Sequence, residues 1–393
     1  MRFLILNTDY PEFLSSLYAQ HPGLEQQPYE RQMRVRTESL FGVADFYSSN
    51  LRKLGHEAWD IHANNEFMQK AWAREHGIPV EAPTPMLQRW LAVLRHARRA
   101  AARTPLRYLK PLLRPVLRAF DGQQAWFYGT LTAQIEHYRP DVLLNESMVG
   151  IGSVLLKEMK SYVRLLVGQH AATTLPDSED WSVYDLVISS FPPTIDWFRR
   201  KGVRAALHRL GFEPRVLSYL QNGGKKIDVS FVGSFYSVHA SRMALLESLC
   251  SRCPMMIWGP DPHRVGHDSL IRKCYAGQAW GRDMYQILYD SKITVNHHGD
   301  IAPYANNMRL YEATGVGTLL VTDHKDNLGD LFALNREVIS YRTPEECGDA
   351  IGYYLEHDEE RRAIAQAGQK RTLSEHTYYQ RMQELVQIVS KYL

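Results

Sequence analysis

The chain has 393 residues, of which 45% are hydrophobic and 23% charged, and its formal net charge is +3. This length and composition predict a folded protein of two domains and exclude a disordered or fibrous chain. No apolar run reaches the roughly 18–20 residues that span a bilayer, and four cysteines in a chain of this size predict no disulfide framework.

Short apolar strands alternate with helices along the chain, which is the pattern of parallel α/β sheets. The opening segment MRFLILNTDY predicts a buried strand rather than a signal peptide, and with it a cytoplasmic protein. A first helix is predicted over residues 34–54. Strands of the first half are predicted at residues 3–6, 58–61, 142–144, 165–167 and 186–189.

The alternation continues after residues 221–224, whose sequence QNGG has the composition of a linker. We predict a first domain over 1–215, a second over 226–375, and a C-terminal helix over 376–393 that packs back on the first domain. The expected fold is α/β, with two Rossmann-like, doubly wound domains that face each other across a cleft. Strands of the second domain are predicted at 228–232, 255–258, 293–296, 318–322 and 338–341.

A basic helical insertion is predicted at about 85–120 of the first domain. Between Glu81 and Asp121 the sequence has no acidic residue, and nine basic residues fall within 89–118. This composition fits peripheral contact with the inner face of an anionic membrane, or an anionic acceptor such as a lipid-linked sugar. An insertion packed on the core with a solvated basic face fits equally well. Nucleic acid is not an expected partner, because aromatic residues are not interleaved for base stacking.

The run ITVNHHGDIAPYANNMRLYEATGVGTLLVTD at 293–323 predicts a strand, a loop, a short helix over 307–314 and a second strand. The first turn of such a helix presents free backbone N–H groups at the strand ends, with Asn306 and Asn307 as N-caps. Glu312 would accept hydrogen bonds from a sugar diol. Arg309 would bind a diphosphate, or pair with Glu312 one turn later. Together these features indicate a nucleotide-sugar site and a glycosyltransferase.

The same residues carry a family resemblance. The segment NMRLYEATG at 307–315, followed by TLLVTD and then by HTY at 376–378, resembles the C-terminal domain of family-1-like GT-B glycosyltransferases, in particular the branch named for the spore-maturation protein CgeB. The resemblance covers residues 227–390, and in the first half it rests on YDLVISSFPP at 184–193. It implies that Glu312 binds the donor ribose, that Asn307 faces the phosphates and that transfer retains configuration. The family often carries a second glutamate where this chain has Tyr304, so the sugar end of the site departs from the pattern.

Further donor contacts are expected on loops that follow the strands of the second domain. Gly233 and Ser234 resemble the turn that approaches the donor phosphates, and Arg242 is a candidate cation for the diphosphate, or else an ordinary exposed arginine. Four residues are expected to border the nucleotide base: Trp258, Gly259, Tyr275 and Gly277.

No metal or cofactor is expected in this site. His297 and His298 follow a strand, have no acidic partner at ligand spacing nearby, and are expected to hydrogen-bond phosphate or sugar. The chain contains no D-x-D sequence, which favours a site where a helix dipole and cations stabilise the leaving diphosphate.

Two residues of the first domain are candidates for acid–base chemistry. His170 follows the strand at 165–167 and would orient the donor sugar, act as acid or base, or make a structural hydrogen bond. Glu146 follows the strand at 142–144 and is the candidate base for an inverting reaction.

The sequence thus predicts a metal-independent, retaining glycosyltransferase. It would move a sugar from a nucleotide-diphosphate donor to a glycan, lipid-linked or protein acceptor held by the first domain. Two alternatives remain open: a nucleotide-sugar 2-epimerase on the same fold, and a non-catalytic binding or scaffold protein, for which Tyr304 is the main argument.

Overall fold

The computed structural model describes residues 1–79, 122–171, 175, 179–235, 240–260 and 262–393, and two parallel six-stranded sheets organise them. The inner strands of the first sheet are buried and rich in Leu, Ile and Val, as strands covered on both faces must be. The six strands of this sheet are β1 (Arg2–Asn7), β2 (Glu57–His62), β3 (Val142–Asn145), β4 (Leu165–Gln169), β5 (Leu186–Ser189) and β6 (Ala205–Leu207). Their order across the sheet is β2-β1-β3-β4-β5-β6.

Seven helices are described along the first half of the chain. They are α1 (Pro11–Gln20), α2 (Tyr29–Glu38), α3 (Phe46–Lys53), α4 (Glu66–Glu75), α5 (Gly122–Tyr138), α6 (Ser153–Met159) and α7 (Pro192–Arg200). The predicted basic insertion at 85–120 lies outside the described residues, so the structure adds nothing to it.

The second sheet repeats this architecture in the order β12-β11-β10-β7-β8-β9. Its strands are β7 (Ile227–Val232), β8 (Met255–Trp258), β9 (Tyr275–Gly277), β10 (Ser291–Asn296), β11 (Leu319–Asp323) and β12 (Ile339–Tyr341). Its helices are α8 (Ala240–Arg252), α9 (Leu270–Cys274), α10 (Gly281–Asp290), α11 (Arg309–Gly315), α12 (Leu328–Leu331), α13 (Pro344–Glu356), α14 (Asp358–Glu375) and α15 (Tyr378–Val389). No helix in the described ranges is both long and apolar enough to cross a membrane.

Each sheet has one point where the strand order reverses. In the first sheet the reversal lies between β1 and β3, and in the second it lies between β7 and β10. The connections leave on opposite sides of such a point, which opens a crevice outside the carboxyl ends of the two strands. Residues 233–234 and 297–298 border the second crevice, and residues 8–9 and 146–147 border the first.

The prediction of one helix over 34–54 is wrong. The chain forms α2 and α3 there, separated by three residues in the left-handed region: Leu40 (φ 59°), Gly42 (φ 61°) and Ala44 (φ 43°). This conformation costs a non-glycine residue roughly 1–2 kcal/mol. Leu40 and Ala44 are buried in the main core, and their burial offsets that cost.

The two halves of the chain contact each other through the C-terminal helix. Helix α15 packs against α3, and Tyr378 lies in the same hydrophobic cluster as Phe46 and Tyr47. Just before α15 begins, the backbone N–H of Phe212 donates to the carbonyl of His376, at 2.8 Å. A second contact joins the start of α10 to the turn after α2, where the N–H of Arg282 donates to the carbonyl of Ser39, at 2.9 Å.

The contact at Ser39 can be tested at Gly281. This glycine has φ +52°, and an added Cβ would lie 2.0 Å from the Ser39 carbonyl oxygen. We expect Gly281→Ala to lower the free energy of unfolding by about 1–3 kcal/mol in chemical denaturation. Gly329→Ala is the matched control, because a Cβ there meets nothing within 4 Å, and it should change stability by less than about 0.5 kcal/mol. Equal effects of the two substitutions would contradict the close approach.

Candidate functional site

A buried arginine joins the two loops that border the crevice between β7 and β10. Arg242, in the first turn of α8, is 7% exposed. Its Nη1 donates to the carbonyl of Ser234 (3.1 Å), and its Nε and Nη2 donate to the carbonyl of His297 (3.2 and 2.7 Å). Burial lowers the pKa of Arg242 to about 10, so the side chain stays charged at neutral pH. The alternative of an ordinary exposed arginine is therefore wrong.

These contacts leave hydrogen-bonding capacity on Arg242. A guanidinium carries five N–H groups, and the described bonds use three of them. The two acceptors of these three bonds are the backbone carbonyls of Ser234 and His297, which carry no net charge. The crevice therefore contains a positive charge with spare donors, the combination that binds phosphate oxygens.

Arg309 and Glu312 form a buried ion pair rather than a surface one. The Nη1 of Arg309 lies 2.7 Å from Oε2 of Glu312, and the two side chains are 14% and 7% exposed. Arg309 also donates from Nη2 to the carbonyl of Val232 at the end of β7 (3.1 Å). Burial raises the pKa of Glu312. The charge of Arg309 and a hydrogen bond with Tyr285 act in the opposite direction, but the pKa stays above its ordinary value. Arg309 therefore pairs with Glu312 and contacts the end of β7, and its role as a cation for the diphosphate stays a prediction.

The helix that carries this pair is shorter than predicted and starts later. Helix α11 has seven residues, its N-cap is Met308, and no side chain caps it, so the prediction of Asn306 and Asn307 as N-caps is wrong. Asn307 instead donates to Oδ1 of Asn296 at the end of β10 (2.8 Å), while its own Oδ1 is buried without a partner. Asn307 therefore contributes an unsatisfied acceptor to the site rather than a cap.

Asn306 connects the two halves of the chain. Its Nδ2 donates to the carbonyl of Ala171, and its Oδ1 accepts from Ser190, each at 2.6 Å. Tyr304 lies two residues before it, with its ring 6.3 Å from that of Phe191. Residues of both halves line a cavity of about 170 Å³ here, with Tyr304 and Asn306 in its wall. The position where the family often has its second glutamate therefore faces the first half of the chain.

The loops after β7 and β8 are held against each other at short range. The N–H of Gly233 donates to the carbonyl of Trp258 (2.9 Å), so that amide is already engaged. A Cβ on Gly259 would lie 2.1 Å from the Gly233 carbonyl oxygen, and only glycine fits there. The hydroxyl of Tyr275 donates to the carbonyl of Gly259 (2.9 Å), and the N–H of Gly259 donates to Gly277 (3.0 Å). The residues predicted to border the base thus form one connected rim.

His297 and His298 have an acidic partner that the sequence pattern missed. Asp323, at the end of β11, accepts from both the backbone N–H (3.0 Å) and Nδ1 (2.6 Å) of His298. His297 instead lies between the hydroxyls of Tyr341 (3.0 Å) and Ser241 (2.8 Å), and burial lowers its pKa. Asp323 stands in the TLLVTD run directly after the predicted strand, and its pairing depends on the neighbouring strand, which sequence spacing does not reveal.

The candidates in the first half lie at the carboxyl ends of β3 and β4. Oε2 of Glu146 is buried without a hydrogen-bond partner, and burial, with the charge of Asp60 adding to it, raises the pKa of Glu146 to about 8. At neutral pH the carboxyl is therefore protonated. His170 directly precedes Ala171, the residue that Asn306 contacts, so it lies beside the junction of the two halves.

No three His, Cys, Asp or Glu side chains in the described ranges come together as metal ligands.

The site combines buried cations, paired acids and a histidine whose ring is fixed by a carboxylate. Such an arrangement suits an anionic ligand with hydroxyl groups.

Residues 242–387 match a protein family described as "Glycosyl transferase-like". This range contains Arg242, the His298–Asp323 pair and the Arg309–Glu312 pair. A comparison with the curated proteins finds no match.

Several solved structures share the fold of the whole chain. A glycosyltransferase from Rickettsia africae superposes with a TM-score of 0.57 at 11% identity, over 100% of this chain and 98% of its own. The Anabaena protein Alr3699/HepE, solved with UDP-glucose, gives a TM-score of 0.58 at 13% identity, over 100% of both chains. AviGT4, a glycosyltransferase involved in avilamycin A biosynthesis, gives 0.51 at 14% identity, over 98% of this chain and 96% of its own.

The two Rossmann-like sheets and these neighbours confirm the predicted GT-B fold. The CgeB-like branch, the domain boundaries and the roles of the individual site residues stay predictions. Residues 242–387 are thus similar to a glycosyltransferase family, and the chain as a whole has the GT-B fold.

Proposed function

We propose that the protein transfers a sugar from a nucleoside-diphosphate donor to an acceptor hydroxyl, with retention of configuration and without a metal ion. The observation that carries the proposal is the buried guanidinium of Arg242 between the carboxyl ends of β7 and β10. A ligand at this crevice meets two arginines, because Arg309 also reaches the end of β7. The Anabaena neighbour, which was solved with UDP-glucose, supports the same class of donor.

In this proposal the two arginines of the crevice stabilise the negative charge of the leaving diphosphate, which a metal ion stabilises in other transferases. As the bond between the sugar and the diphosphate breaks, negative charge grows on the leaving oxygen. Arg242 and Arg309 are fixed by backbone carbonyls before the ligand arrives, so they stabilise that charge without reorganising. Glu312 would accept hydrogen bonds from the ribose hydroxyls through the oxygen that Arg309 does not occupy.

The state of Glu146 supports retention. With a pKa of about 8, the Glu146 carboxyl is mostly protonated at neutral pH, and in that form it donates a hydrogen bond. We therefore assign to Glu146 a contact with a sugar or acceptor hydroxyl, in place of the general base considered from the sequence. The leaving phosphate would then take the proton of the acceptor, and His170 would orient the donor sugar from the other side of the cleft.

The acceptor is proposed to bind on the first half of the chain, as a glycan, a lipid-linked sugar or a protein. A membrane contact through 89–118 is part of this proposal only as an expectation from sequence, since that segment lies outside the described residues. The donor sugar stays open as well, because Tyr304 replaces the acid that contacts it in the wider family.

A donor panel separates the proposal from its two alternatives. The protein is mixed with UDP-, GDP-, ADP- and dTDP-linked hexoses, and thermal stability, nucleotide release and the recovered sugar nucleotide are recorded. Transfer or slow hydrolysis with release of the diphosphate supports a glycosyltransferase. A donor that is epimerised and stays linked to its diphosphate indicates the 2-epimerase, and the absence of any binding indicates the scaffold.

Replacing Glu312 tests the donor site. Glu312→Gln removes the charge that a ribose diol would hydrogen-bond, so we expect the affinity for the preferred donor to fall by about tenfold or more in calorimetric titration. Glu356→Gln is the matched control, because it makes the same chemical change on an exposed residue of α13. Unchanged affinity in a folded Glu312→Gln protein would remove Glu312 from the donor site.

The protonation of Glu146 can be measured through stability. Its folded-state pKa of about 8 lies above the ordinary 4.5, so its contribution to stability is complete below pH 4.5 and is lost as the pH rises through about 8. Glu146→Gln should match the wild-type free energy of unfolding at pH 4.5 and exceed it by about 1–3 kcal/mol near pH 9.

Glu158→Gln, an exposed neighbour on α6, serves as the control and should differ from the wild type by the same small amount at every pH. A difference between Glu146→Gln and the wild type that does not change with pH would show that Glu146 ionises normally. Glu146 would then again be a candidate for the general base of an inverting reaction.

A further inference from the structure

The pair formed by His298 and Asp323 is a buried polar contact at the edge of the crevice. His298 lies two residues after β10 and Asp323 is the last residue of the neighbouring parallel strand β11, since Asn296 of β10 pairs in register with Thr322 of β11. One carboxylate oxygen of Asp323 holds both the backbone and the ring of His298, at 3.0 and 2.6 Å. The side chains are 4% and 8% exposed, so solvent does not compete for this contact.

The carboxylate decides which ring nitrogen is available to a ligand. Burial alone would raise the pKa of Asp323, but the hydrogen bond and charge of His298, with His297 and Lys325, hold it well below its usual range. An ionised carboxylate accepts only, so Nδ1 of His298 carries the hydrogen of their bond. Nε2 is therefore the nitrogen left for chemistry, and it is buried without a hydrogen-bond partner.

Two cations contact the immediate neighbours of His298. Lys325 lies 3.2 Å from the second carboxylate oxygen of Asp323, and Arg242 binds the carbonyl of His297, the residue before His298. The titratable and charged groups around the ring come from the ends of β10, β11 and β12 and from the start of α8: His297, Asp300, Asp323, Lys325, Tyr341 and Arg242.

We propose that Asp323 is a positioning residue that holds His298 as an imidazolium, so that Nε2–H donates a hydrogen bond to the leaving diphosphate. This inference rests on the proposed function. When the sugar leaves, its bond to the diphosphate oxygen breaks and the electron pair stays on that oxygen. The acceptor oxygen forms the new bond to the sugar and gives its proton to the phosphate. His298 neither gains nor loses a proton, and its charge stabilises the oxygen that becomes negative.

The arrangement predicts a specific pH dependence of diphosphate binding. A ring that carries hydrogen on both nitrogens donates to the anion from Nε2 and the neutral ring does not, so this contribution to affinity is lost at high pH. Removing the charge of Asp323 destabilises the imidazolium and moves that loss to lower pH. The variant should therefore resemble the wild type at low pH and bind more weakly at neutral pH.

The experiment titrates the whole protein with ADP, GDP, UDP and dTDP from roughly pH 5.5 to 8.5, and follows the tightest of them in the variants. We expect Asp323→Asn to shift the midpoint of the affinity loss down by about one pH unit or more, so that binding is about tenfold weaker at pH values above the wild-type midpoint. His298→Gln should lose this part of the pH dependence altogether. Because the diphosphate itself titrates, each variant is compared with the wild type at the same pH.

Asp326→Asn is the matched control, because it makes the same substitution on an exposed residue three positions along, and it should keep the wild-type profile. Thermal unfolding confirms that each variant is folded. If Asp323→Asn keeps the wild-type midpoint, or His298→Gln keeps the wild-type pH dependence, the inference is overturned while the donor site stands. If the wild type binds none of the four diphosphates, the proposed function fails and this inference fails with it.

Discussion

The candidate site depends on one buried charge. Arg242 holds the carbonyls of Ser234 and His297, and these belong to the loops on either side of the reversal in strand order. A guanidinium removed from water needs its hydrogen bonds satisfied, so the two loops are fixed in place by the requirement to solvate it. The same requirement leaves a positive charge in the crevice, since the described acceptors are uncharged.

Around this charge the acidic residues of the crevice are already paired. Glu312 is paired with Arg309, and Asp323 with His298 and Lys325. Acids that are engaged in this way do not repel a diphosphate, and each orients the cation beside it. The glycine at 259 lets the loops after β7 and β8 approach closely enough to complete the rim. The geometry thus prepares a site for an anion before the anion is present, which is the condition for electrostatic stabilisation of a leaving group.

The sequence predicts ten of the twelve described strands, because buried parallel strands are short apolar runs ending in polar loops. It misses the edge strands β6 and β9, and the expectation that Tyr275 and Gly277 lie on a loop is wrong, because they form β9. The strands at 186–189 and 255–258 appear with the predicted bounds, and several others differ by a residue or two. The break between α2 and α3 could not be predicted, because Leu40 and Ala44 adopt a left-handed conformation that only tertiary packing stabilises.

Local pattern also pointed to the candidate site residues but not to their partners. Arg309, Glu312 and His298 stand out in one run of sequence, and the structure places all three at the carboxyl end of the second sheet. The link from Asn306 to Ala171 and Ser190 spans more than one hundred residues, and the His298–Asp323 contact depends on the register of two strands. Contacts of this kind depend on which distant segments the fold brings together, so they cannot be predicted from the spacing of residues along the chain.

We propose above all that the crevice between β7 and β10 binds a nucleoside diphosphate. A crystal structure of the protein with the tightest-binding of ADP, GDP, UDP and dTDP would show this. We expect the diphosphate oxygens within hydrogen-bonding distance of Arg242 and of Nε2 of His298, with the base along the rim formed by residues 258–259 and 275–277. A diphosphate bound elsewhere, or a crevice in which Arg242 contacts only its two carbonyls, would show that this crevice is not the donor site.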